Sequence, residues 1–127
     1  MYVIAFFNKE YNESWQFMAF YESTFIARQD LSTQEVDKLV EELAKIVENF
    51  KGKVVKHEYW GLRNLAFKIS KNRKGHYVML YLDANGDTVK ELNRQYKLNE
   101  SIIRDLTIRV EEIGKEPSPI KRFEKEA

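Results

Sequence analysis

A chain of 127 residues, 43% apolar and 32% charged, is long enough for one domain with a real core and too short for two, and it lacks the composition of a disordered polymer. Without cysteine it has no disulfide framework and no thiolate metal site; its apolar runs are too short to span a bilayer, and MYVIAFF lacks the basic leader and cleavage site of a signal peptide. The net charge of +1 hides an uneven distribution: residues 51–76 hold eight Lys or Arg against one acid, Glu58, whereas residues 1–50 hold four against nine.

The first seventeen residues fit no strand or helix of the pattern that follows. Met18 lies just before the first strand and is the expected natural start, with residues 1–17 either the product of a miscalled upstream start or a real but dispensable N-terminal extension. FYESTFIAR, residues 20–28, alternates and is rich in aromatic and β-branched side chains, which predicts a strand. Ser32 and Glu35 form a capping box. Val36, Leu39, Val40, Leu43, Ile46, Val47 and Phe50 then recur at three- and four-residue steps, one apolar stripe of a helix that Gly52 is expected to stop.

A second strand starts near Lys53 and runs through HEYWGLRNLAFKI, with a bulge or bend expected at Gly61. NRKG is expected to make a turn, and HYVMLYLDA returns. Asn85-Gly86 ends that strand, and Asp87 or Thr88 is the expected cap of a second helix with Val89, Leu92 and Tyr96 on its stripe. Ile102 to Glu111 is a last strand, with Leu106, Ile108 and Val110 on one face and Thr107, Arg109 and Glu111 on the other. The tail 113–127 holds both prolines and no periodicity and is expected to be flexible.

The order β-α-β-β-α-β predicts a ferredoxin-like α+β domain over residues 18–112: a four-stranded antiparallel sheet with both helices on one face. That fold hosts many functions, so function must come from the residues. No catalytic constellation is present. His57 and His76 have no partner at ligand spacing, and Glu41-Glu42 and Glu111-Glu112 are adjacent pairs on solvated stretches. The reading is therefore of a protein that is not an enzyme and needs no cofactor or metal.

The hairpin YWGLRNLAFKISKNRKGHYVMLYL, residues 59–82, carries five Lys or Arg and no acid. Lys71, Arg73 and Lys74 can reach phosphates, and Asn72 and His76 add hydrogen-bonding groups; a solvated tip that discourages edge aggregation is the plain alternative. Tyr77 and Tyr81 could offer rings for base stacking in a free-standing single-stranded RNA binder, or be ordinary cross-strand packing. KGHYVMLY overlays the RNA-recognition-motif pattern only in part, with His76 where an aromatic belongs. Trp60 and Leu62 are expected on one face of the second strand, as core or as a patch for a protein partner.

GLRNLAFKIS, Gly61 to Ser70, resembles the signature of the bacterial small-subunit ribosomal protein six family, with Gly61, Arg63, Leu65, Ala66, Ile69 and Ser70 matching and Phe67 in place of the usual tyrosine. YESTFIARQDLS is similar to the family's opening segment, with Gln29 where proline is usual. GKVVKHEYWG, KNRKGHYVMLYL and LNESIIRDLTIRV follow in the family's order, so the resemblance covers about Phe20 to Val110. It implies a ferredoxin-like, cytoplasmic protein of the ribosome. The implied partners are the central domain of 16S ribosomal RNA and ribosomal protein eighteen of the small subunit, bound as a heterodimer. By matching position it implies RNA contacts from Arg63, Lys71, Arg73, Lys74, His76 and Arg104, with Tyr21 near RNA and Trp60 and Leu62 toward the protein partner. Ala19 and Phe20 stand where many relatives place a cation.

Overall fold

A computed structural model of the chain describes residues 18–112; the expectations for residues 1–17 and 113–127 lie outside them. The elements are β1 (Ala19–Arg28), α1 (Thr33–Asn49), β2 (Lys53–Ile69), β3 (Asn72–Ala84), α2 (Gly86–Leu98) and β4 (Ile102–Val110), in one antiparallel sheet of order β2-β3-β1-β4. This is the ferredoxin-like arrangement that the element order predicts.

The helices follow from local chemistry. The Ser32 hydroxyl accepts from the Glu35 amide at 3.1 Å while the Glu35 carboxylate accepts from the Ser32 amide at 2.9 Å, which closes the capping box and satisfies two orphan donors. The Ser32 amide and hydroxyl hold the Glu35 carboxyl below its usual range. At the other end Lys51, not Gly52, takes the left-handed conformation, with φ of 66°. Gly52 serves close approach instead: a Cβ there would meet Val47, Ala84 and Thr88 at 3.0, 3.1 and 3.2 Å. The N-cap of α2 is Asn85, whose Oδ1 accepts from the Thr88 amide at 2.9 Å. Of the two expected caps, Asp87 lies in the first turn of the helix and Thr88 is fully buried, with its hydroxyl 3.2 Å from the Phe50 carbonyl.

The core lies between the helices and one sheet face. Val36, Leu39, Val40, Leu43 and Val47 of α1 and Leu92 and Tyr96 of α2 pack on Phe25, Ala27, Val78, Leu80 and Leu82. Tyr96 puts its hydroxyl 2.6 Å from Ser23 Oγ, which in turn lies 2.8 Å from Thr107 Oγ1. Burial raises the Tyr96 hydroxyl well above its usual range. This hydroxyl chain turns Thr107 toward the helices. Leu106, Ile108 and Val110 alternate as expected but lie on the other, helix-free face, where Leu106 is exposed.

β2 is longer than its partner β3 because it bulges three times, between Val54 and Lys56, between Tyr59 and Gly61, and between Asn64 and Ile69. Gly61 has a φ of 84° in the second bulge, a conformation that glycine adopts without strain. That bulge separates two residues expected together. Leu62 pairs with His76 on the helix side, while Trp60 donates from Nε1 to Glu58 at 2.9 Å on the opposite face, where Glu58 pairs with Met79.

Candidate nucleic-acid interface

The β2–β3 hairpin turns at Ser70 and Lys71, which have φ of 48° and 69° and sit between the paired residues Ile69 and Asn72. Two central residues with positive φ make a turn whose twist suits a hairpin. NRKG, expected as the turn, instead opens β3. The last β1–β3 pair is Arg28 with Gly75, so residues 72–74 run past the end of β1 by about 10 Å at strand rise. Lys71, Arg73 and Lys74 are all exposed on this projection.

Cations continue across the sheet behind it. Gly75 pairs with Arg63 on one side and Arg28 on the other, and Arg104 is exposed opposite Ile26. Gly75 lets β1 and β3 approach: a Cβ there would lie 2.3 Å from Ile26 Cγ2. Arg63 stacks its guanidinium 4.9 Å from the Trp60 ring centre and donates from Nε to the Trp60 carbonyl at 3.0 Å. Arg28 was missed by sequence reasoning; its signal is the strand register, which no motif carries. Its Nε lies 3.5 Å from Asp30 Oδ1.

Two residues expected to touch RNA are committed elsewhere. His76 is 4% exposed; its ring nitrogens lie 2.7 Å from the Tyr59 hydroxyl and 2.9 Å from the Leu31 carbonyl. A carbonyl only accepts, so Nε2 carries the proton and Nδ1 accepts from Tyr59. Asn72 is 8% exposed. Its Nδ2 donates to the carbonyls of Ile69 at 3.2 Å and Ser70 at 3.0 Å, and its Oδ1 accepts from the Gln29 amide at 3.1 Å. Asn72 is drawn in by the backbone groups of the tight hairpin end, which need partners, and His76 by its bridge between Tyr59 and the loop before α1.

Tyr21 lies apart from this group. It pairs with Leu82 and packs on the core, seven residues along β1 from Arg28, about 23 Å at strand rise. Tyr81 is 3% exposed, with its hydroxyl 3.4 Å from Glu58 and Lys56 Nζ 4.6 Å from its ring centre. That leaves no open ring for stacking, and Tyr77 is half-buried. Leu62 is 46% exposed on β2, the edge strand, with Tyr59 and Phe67 also exposed.

Among the described residues no group of three or more His, Asp or Glu is placed to hold a metal, and no helix is long and apolar enough to cross a membrane.

A family model described as ribosomal protein S6 matches residues 20–109. The small ribosomal subunit protein bS6 of Rickettsia rickettsii (strain Sheila Smith) is 55% identical over 103 residues, 81% of this chain and 85% of the relative. That of Paramagnetospirillum magneticum (strain AMB-1) is 55% identical over 101 residues, 80% of this chain and 70% of the relative. The crystal structure of 30S ribosomal protein S6 from Thermotoga maritima superposes with a TM-score of 0.69 at 33% identity, covering 86% of this chain and 94% of the other.

Proposed function

The chain belongs to the ribosomal protein S6 family of the cytoplasmic small ribosomal subunit, a structural family and not a class of enzymes, and from that premise we propose that it binds the central domain of 16S ribosomal RNA as a heterodimer with ribosomal protein eighteen. The observation that carries this reading is the projecting hairpin. Lys71, Arg73 and Lys74 stand beyond the end of β1, with Arg63 and Arg28 across the strands behind them, and no acid occurs between Glu58 and Asp83. A projecting hairpin with cations and no acid of its own suits a phosphate backbone. Arg104 extends the row toward β4, and Tyr21 contributes to the fold rather than to this surface.

The protein partner's surface is the β2 edge. Leu62 exposes its side chain on one face of the strand and Trp60 half-exposes its own on the other, so a chain laid against this edge meets both. Each protein alone makes few phosphate contacts. Together they form a larger surface, and the two binding events are linked. The test is binding of a central-domain 16S RNA fragment by the full chain, with and without ribosomal protein eighteen. Tight binding that requires both proteins is the expected result; equal affinity for arbitrary single strands without the partner would contradict it.

A further inference from the structure

The cations of the hairpin stand where the sheet has run out of strand. β1 ends at Arg28, opposite Gly75, so among the described residues no strand pairs with the β1-side edge of residues 72–74. Gln29 takes that place. Its Oε1 accepts from the backbone N–H groups of Arg73 at 3.3 Å and Lys74 at 3.1 Å, and its own backbone N–H donates to Asn72 Oδ1 at 3.1 Å. Asn72 then reaches the Ile69 and Ser70 carbonyls of the turn.

The result is a two-residue clamp. One carboxamide replaces the missing strand, and the other ties the turn to it. The bonds close over 43 to 45 residues of chain, so they fix the hairpin against the body of the domain rather than within itself. The clamp matters because β2 is irregular here: between Asn64 and Ile69 it carries extra residues that the β3 ladder does not match. Without Gln29 the projection would hang on an interrupted ladder.

We infer that Gln29 is a positioning residue for nucleic-acid binding: it holds Arg73 and Lys74 in a fixed array, so that their ordering is complete before RNA arrives. This rests on the proposed contact of the hairpin with RNA. Preorganisation raises affinity by removing an ordering cost, whereas the number of phosphates neutralised sets the salt slope. A positioning residue and a contact residue therefore leave different marks.

The test uses Gln29→Met, which keeps the side chain's length and loses its acceptor, beside Gln29→Glu, which keeps an acceptor, and Arg73→Ala/Lys74→Ala. Amide hydrogen exchange is measured on the full chain, and affinity for the central-domain RNA fragment is measured with ribosomal protein eighteen over a range of salt. For Gln29→Met the expected results are exchange at Arg73 and Lys74 faster by about tenfold with core amides unchanged, and affinity lower by about fivefold with an unchanged salt slope. Gln29→Glu should restore the exchange protection. Unchanged affinity in Gln29→Met while Arg73→Ala/Lys74→Ala weakens binding would overturn the role of Gln29 alone. No effect from Arg73→Ala/Lys74→Ala would overturn the RNA contact on which that role rests.

Discussion

The Tyr59 hydroxyl donates to His76 Nδ1 at 2.7 Å, with the two rings stacked at 5.9 Å between centres, and His76 Nε2 donates onward to the Leu31 carbonyl at 2.9 Å. This chain links β2 and β3 to the loop that leads into α1. His76 is therefore a strut of the fold under the hairpin, not part of its cationic surface.

His76→Ala leaves the Leu31 carbonyl and the Tyr59 hydroxyl without their partner and opens a cavity, at a cost of about 2–4 kcal/mol in stability. Denaturant unfolding should show that loss. RNA affinity of the folded fraction should change less than twofold.

Gly75 and Ile26 form a tight pair, with only 2.3 Å between Ile26 Cγ2 and the position of a Cβ on Gly75. Gly75→Ala should destabilise the domain by about 1–3 kcal/mol through overpacking. In an Ile26→Ala background the same change should cost markedly less. A double-mutant cycle checks this, and equal costs in both backgrounds would place the strain elsewhere.

The buried Tyr96 hydroxyl gives a pH signature. Burial raises it above the unfolded value of about 10, so the folded state holds its proton longer than the unfolded state. The stability it contributes is complete below pH 10 and is lost as the pH climbs above that toward the folded value. Tyr96→Phe should flatten that alkaline loss, and should itself cost about 1–2 kcal/mol at neutral pH, because Ser23 keeps its contact with Thr107. Stability measured from pH 8 to 11 in both proteins checks the slope.

The turn at Ser70 and Lys71 places two non-glycine residues at positive φ. Ser70→Asn with Lys71→Gly should raise stability by about 0.5–1 kcal/mol, since asparagine and glycine suit these positions. The same change removes a cation from the tip, so RNA affinity should fall while stability rises. That opposition is the expected mark of a tip kept basic for binding and not for folding.

The sequence carried the element order and the α1 capping box, because both depend on residues close together in the chain. It placed Leu106, Ile108 and Val110 on a shared face but not which face, since alternation has no sign; the Ser23–Tyr96–Thr107 hydroxyls decide it. It joined Trp60 and Leu62, which the bulge at Gly61 separates. The motif resemblance placed His76 among the RNA contacts by position, and the polar character of the hairpin added Asn72; neither signal shows burial. Gln29 stood out only as a departure from a usual proline. Its carboxamide reaches Arg73 and Lys74, more than forty residues away, and nothing in the local pattern signals that contact.

Contact between the projecting hairpin and phosphates is what the proposed function rests on. Its most direct test is the dependence of affinity on salt for a central-domain 16S RNA fragment with ribosomal protein eighteen, comparing the natural chain with Arg73→Ala/Lys74→Ala. Two lost phosphate contacts should reduce the slope of log affinity against log salt by about 1.4–1.8, with the melting temperature unchanged. An unchanged slope and affinity in a folded double variant would contradict the claim.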